Sequence, residues 1–104
     1  MHYDEQKLQV NAALHHLELP IDGSIAFIDF KLVGNKLFLI HTEVPHALEG
    51  QGAGTAIVQK ALQYARDNHY TVVPICPFVQ LYLKRHPAWN DIVATDAERF
   101  IHKP

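Results

Sequence analysis

The chain changes period across Gly50-Gln51-Gly52-Ala53-Gly54, where three glycines fall within five residues. Before it, through Lys36 to Val44, apolar residues crowd together as in a strand. After it, Ala56, Ile57, Lys60, Ala61, Tyr64 and Ala65 recur at helical spacing. A strand, a glycine loop and a helix start in that order present free backbone N–H groups and the positive end of a helix dipole to an anion. Glycine has no Cβ to keep a ligand away. The stretch therefore reads as a phosphate cradle, with Glu49, Gly50, Gln51, Gly52, Ala53, Gly54 and Thr55 as its wall.

The elements on either side are set by pattern and punctuation. Leu8 to Leu19 fits a helix face through Val10, Ala12, Ala13, Leu14 and Leu17, or a strand through Leu14, His16 and Glu18. The strand is the better reading, ended by Pro20 and the turn Asp22-Gly23-Ser24. Ser24 to Leu32 is rich in β-branched and aromatic residues, and Gly34-Asn35 reverses it into a return strand from Lys36 to Val44. A helix is predicted from about Gly52 to Asn68, and Thr71 to Cys76 is a short β-branched strand. Strand, helix and strand make a βαβ unit. Pro74 and Pro77 weaken the second strand as a ladder donor, so the two parallel strands are expected to part at their C-terminal ends. Pro77 opens a second helix through Arg85, stopped by His86-Pro87. Ala88 to Val93 reads as a short helical turn, and the remaining residues read as an uninformative tail. Phe27, Phe30, Phe38, Phe78, Ile57, Ala61 and Tyr64 are assigned to the core, and Trp89 to packing on the second helix. The fold class is α/β, a mixed and mostly antiparallel sheet with one βαβ unit.

Length and charge narrow the function classes. The 104 residues suffice for one domain, 1–104, with a real core and not for two. A formal net charge of −2 argues against a general nucleic-acid binder. No apolar run approaches the roughly 20 residues needed to cross a bilayer. The N-terminus has no apolar targeting core. A single cysteine, Cys76, excludes an internal disulfide and fits a reducing compartment. A cytoplasmic location is the expectation. The eight histidines move the net charge towards positive as pH falls through about 6.5. They offer no familiar metal spacing: His15 and His16 are adjacent, and His41 and His46 straddle a proline, so no metal site is expected.

His41 to Pro45, Leu48 to Gly54, Pro74-Ile75-Cys76-Pro77-Phe78 and Tyr82 to Pro87 together resemble the GNAT superfamily of acetyl-CoA-dependent N-acetyltransferases, over about residues 9 to 93. The likeness is greatest to a branch of small stand-alone domains. It implies a GNAT-like fold in which Lys36–Val44 and Thr71–Cys76 splay into a V that holds the pantetheine arm of acetyl-CoA, along Thr42, Val44 and Cys76. The superfamily's pyrophosphate motif maps onto Glu49, Gly52 and Gly54. Glu49 stands where Gln or Arg is usual, so its backbone N–H rather than its carboxylate would serve. Lys84, Arg85 and His86 match residues that would meet the cofactor's phosphates, or else are helix C-terminal cations that favour the dipole.

Acetyl transfer from a thioester needs a neutral amine, a donor for developing oxyanion charge and a proton for the departing thiolate. Tyr82, one to two turns into the second helix, matches a superfamily tyrosine that protonates the thiolate; the plainer role is half-buried packing. Cys76 is an acyl acceptor, a residue that shapes the site, or a small buried apolar group. Direct transfer is the expected route. His41 and Glu43 lie two apart and so share a strand face, with Thr42 on the other. Either can accept the amine's proton, or both are ordinary hydrogen-bonded groups.

The expected function is transfer of acetyl from acetyl-CoA to a primary amine of a small molecule or protein, by a monomer or homodimer. The alternative is a CoA- or acyl-CoA-binding module with little turnover. An ATP-binding regulatory domain is the weakest reading, because no lysine follows the glycines to reach β- and γ-phosphates.

Overall fold

The structure is a computed structural model that describes residues 3–101. Five strands form one sheet in sequence order: β1 (Gln9–Asn11), β2 (His16–Ile21), β3 (Ser24–Val33), β4 (Lys36–Glu43) and β5 (Thr71–Pro74). The first four are antiparallel, and β5 runs parallel to β4. The parallel pair needs a crossover, which helix α1 (Ala53–Asp67) supplies. Helix α2 (Pro77–Arg85) follows β5 and has the predicted bounds. The mixed α/β class is therefore correct. Among the described residues no helix is long and apolar enough to cross a membrane.

The N-terminal prediction needs correction. Leu8 to Leu19 is two strands, because the chain reverses through Ala12 to His15. Asn11 Oδ1 accepts from the Leu14 N–H at 3.2 Å, and His15 adopts a φ of 56°. An Asx-type turn with no glycine or proline leaves little trace in a pattern of apolar residues. Pro20 lies within β2 instead of ending it. The Phe30 N–H donates to His15 C=O, and ladder alternation from there turns the Pro20 nitrogen to the β1 side. β1 extends only from the partner of His16 to the partner of Glu18, so no donor is missed.

One face of the sheet carries Leu17, Leu19, Ala26, Ile28, Leu37 and Leu39, all buried beneath α1, whose Ala56, Ile57, Ala61, Leu62 and Ala65 are buried in turn. Val79 and Leu83 of α2 extend this core. Each fully buried Leu, Ile or Val contributes about 1.5–3 kcal/mol.

The opposite face holds the second correction. The segment after Val93 is no passive tail: the Ala94 N–H donates to Val72 C=O at 2.9 Å, and Ala94 and Ala97 are buried against Val73. Phe38 belongs to this cluster, edge-on to Phe100 at 5.0 Å. Lys36 Nζ meets Asp96 Oδ2 at 2.6 Å. Two other phenylalanines also leave the main core. Phe27 stacks on His16 at 3.9 Å between ring centres, and Phe78 is 41% exposed. Phe30 does pack against the main cluster.

Two irregularities in β4 position the site. Between Phe30↔Leu39 and Asp29↔His41 the register shifts, so that Ile40 is an extra residue. This bulge reverses the parity of β4. Thr42, opposite Ile28, comes to the same face as Leu37 and Leu39, while His41 and Glu43 lie on the other. The second is the parting of β4 and β5. Their ladder ends at Leu39↔Pro74, and the N–H groups of Ile75 and Cys76 both fold back onto Leu39 C=O, at 3.0 and 2.9 Å. β5 thus stops at Pro74, short of the predicted Cys76.

Candidate active site

The glycine loop is built as two successive turns. Glu49, at φ −64° and ψ 143°, precedes Gly50 at φ 76°, and the Gln51 N–H returns to Leu48 C=O at 3.3 Å. That is a type II turn, whose third residue must take a positive φ. Gly52, at φ 79°, is the N-cap of α1 and supplies no side-chain cap. The first N–H groups of α1 have no intrahelical acceptor and fan outwards with the positive end of the dipole. A groove of about 260 Å³ lies over them, lined by Val44, Leu48, Glu49, Gly50, Gly52, Ala53, Gly54, Thr55 and Phe78.

The Glu49 N–H, expected to serve the pyrophosphate, is instead used by the preceding turn, where it donates to His46 C=O at 3.2 Å, and the side chains of the loop are engaged locally. Glu49 pairs with His46 Nδ1 at 2.9 Å, and Gln51 Nε2 donates to Ala47 C=O at 3.1 Å. At Gly54 an added Cβ would meet the Phe78 ring at 3.1 Å and Val44 Cγ2 at 3.4 Å. A larger residue here would require the Phe78 ring to give by a few tenths of an ångström.

The cleft between β4 and β5 opens next to this groove. At its closed end, where the strands part, Thr42 Oγ1 and Cys76 Sγ stand 3.4 Å apart, and Cys76 is buried, 3% exposed. Asp29, one residue from Phe30, turns its backbone groups to β4 and pairs with His41, so alternation directs those of Thr42 away from β3 and into the cleft.

Helix α2 forms the far wall. Tyr82 is buried, stacks on His86 at 4.0 Å, and lines a cavity of about 70 Å³ with Thr55, Phe78, Leu81, Arg85 and His86. Burial pushes its phenol above the ordinary 10.0, while a hydrogen bond from the Trp89 indole N–H pulls the other way. His86 Nδ1 lies 2.8 Å from Tyr82 C=O, which fixes the imidazole over the ring. Lys84 is parted from its neighbours. It lines a hollow of about 360 Å³ behind α2, with Gln80, Asn90, Thr95 and Ala97.

His41 Nε2 and Glu43 Oε1 form a 2.9 Å pair on the open face of β4, more than half exposed. Thus the fold joins Thr42 to Cys76, Tyr82 to Arg85 and His86, and His41 to Glu43. It sets the last pair on the sheet face opposite Thr42. Phe78 was assigned to the core, yet it walls both the groove and the Tyr82 cavity. Its position on α2, off the stripe formed by Val79 and Leu83, was the available signal. Trp89 was expected on α2; it also receives the Arg66 guanidinium on its ring at 4.2 Å, and Arg66 pairs with Asp91.

A nucleotide-bearing thioester fits these residues. The groove at the helix start is kept open by Gly54, its N–H groups suit a pyrophosphate, and the adjoining cleft offers backbone groups to an amide-bearing arm.

The comparisons with known proteins agree with this architecture. A GCN5-like protein from Staphylococcus aureus, solved in solution by NMR, superposes with a TM-score of 0.63 at 23% identity, over 85% of this chain and 89% of that one. No curated protein matches the sequence significantly. The sequence profile of the GCN5-related N-acetyl-transferase family matches residues 16–92, which include the cradle, the cleft and α2. The chain belongs to the GCN5-related N-acetyltransferase family.

Proposed function

We propose that the protein is an acetyl-CoA-dependent N-acetyltransferase that acts on a primary amine of a small molecule or protein. The observation that carries this reading is the groove over the α1 start, whose wall residues Val44 and Phe78 lie two positions along the chain from Thr42 and Cys76, the pair at the parting of the strands. When bound, acetyl-CoA supplies an activated acyl group. The N–H groups of Gly50 and of Gly52 to Thr55 hold its pyrophosphate, and Arg85 and His86 lie on the same side of α2 to neutralise further phosphate charge. The Thr42 backbone pairs with the pantetheine amides in place of the missing strand partner, beside Val44.

Cys76 and Thr42 shape the end of the cleft, and transfer to the amine is direct. The Tyr82 phenol, kept neutral by burial, gives its proton to the departing sulfur. The amine approaches the open face of β4, where Glu43, paired with His41, accepts its proton directly or through one water. Titration calorimetry with acetyl-CoA, CoA and ATP tests the reading, with Gly52→Glu as control. Binding of the two CoA species alone, lost in the variant, is expected, followed by amine-dependent thiol release. No binding of any CoA species would overturn it.

A further inference from the structure

Tyr3 lies far from the loop in sequence, and its ring is buried in the main core, 6% exposed. Its hydroxyl donates to the Gln51 carbonyl at 2.8 Å. That carbonyl belongs to the peptide joining Gln51 to Gly52. In a planar trans peptide the C=O and N–H point in opposite directions, so a bond that holds the carbonyl also aims the Gly52 N–H away from Tyr3. Gly52 lines the groove over the α1 start, whereas Tyr3 lies behind the loop, where it shares a separate polar cavity with Gln6, Ile21, Asp22, Gly50 and Gln51.

We infer that Tyr3 is a positioning residue for the cofactor's pyrophosphate: it locks the Gln51–Gly52 peptide with the N–H towards the anion and the carbonyl away from it. The lock matters because glycines flank Gln51 at φ 76° and 79°. Such a peptide is free to rotate, and the rotated form would direct a carbonyl dipole at the phosphates. Holding the productive form before binding lowers the ordering cost of binding. This inference rests on the reading that the loop holds a pyrophosphate.

The test uses Tyr3→Phe, which keeps the ring and removes only the donor. NMR titration with CoA and with S-acetylpantetheine, which lacks the pyrophosphate, compares the two affinities in wild type and variant. CoA binding weakened about three- to ten-fold, with S-acetylpantetheine unchanged, is the expected result. Unchanged CoA affinity, or an equal loss for both ligands, would overturn the inference, since the latter is a general loosening of the fold. If wild type bound S-acetylpantetheine and CoA equally well, the cradle would hold no phosphate, and the underlying reading would fall with the inference.

Discussion

Thr42 Oγ1 and Cys76 Sγ meet at 3.4 Å across the point where two parallel strands separate, although they are 34 positions apart in the sequence. The bulge at Ile40 turns Thr42 to that side, and the double return of Ile75 and Cys76 onto Leu39 C=O brings the thiol to meet it. The contact marks the end of the cleft.

Cys76→Ala is expected to leave the acetyl-CoA Kd within about threefold and to lower kcat by about ten- to a hundredfold, because the reacting groups lose a wall that positions them. Mass spectrometry of wild type incubated with acetyl-CoA but no amine is expected to find no acetyl adduct on Cys76. Full activity of the variant would remove Cys76 from the site.

Tyr82→Phe removes the proposed proton donor and leaves the ring on His86. A fall in kcat of about a hundredfold or more with unchanged CoA affinity is expected from steady-state kinetics and calorimetry. An enzyme and a mere CoA-binding module differ here, since only the former has turnover to lose.

Alkaline stability depends on the burial of two phenols. Tyr82 and Tyr64 both titrate above 10.0 in the folded chain, Tyr64 mainly through burial and then through its neighbour Tyr70. Above that pH the unfolded chain releases these protons first, so the folded state binds more protons and stability falls as pH rises. Thermal midpoints are expected to be flat to pH 10 and to drop beyond it, less steeply in a Tyr64→Phe/Tyr82→Phe double variant.

The Lys36–Asp96 pair gives the opposite sign. Lys36 holds the Asp96 carboxyl below its ordinary 3.8, so its contribution is present above that pH and is lost as pH falls through the lowered value. Hydrogen exchange at the Ala94 N–H, which ties the C-terminal segment to β5, is expected to quicken in Asp96→Asn at neutral pH. Once the pH has fallen through the lowered Asp96 titration, the variant and wild type are expected to converge.

Gly54→Ala separates stability from binding. Alanine favours the helix by about 1 kcal/mol, and the Phe78 ring is exposed enough to shift by a few tenths of an ångström. The melting temperature is therefore expected to hold or rise. The new methyl pushes Phe78 into the groove, and a roughly tenfold weaker CoA affinity by calorimetry is expected.

Much of the scaffold was legible because its signals are local. β-Branched and aromatic residues marked β3, crowded apolar residues marked β4, Gly34-Asn35 marked their turn, helical spacing marked α1, and Pro77 opened α2 where it was expected. The errors lie where local signals are weak. The β1–β2 turn rests on one asparagine side chain, and Phe27, Phe38 and Phe78 are apolar residues whose destinations depend on which face is later covered.

The site divides in the same way. The glycine loop and the helix start after it were readable from the residues alone, because closely spaced glycines take the positive φ values that turn the chain into α1. The parting of the two parallel strands was readable too, because proline has no donor to extend a ladder, although β5 ends at Pro74 and not at the predicted Cys76. Folding in three dimensions was needed to bring Thr42 to Cys76, to part Lys84 from Arg85 and His86, and to let Tyr3 secure the loop from behind. Those relationships depend on a one-residue register shift and on packing between distant segments. Long-range contacts of this kind leave no periodic trace in a single sequence.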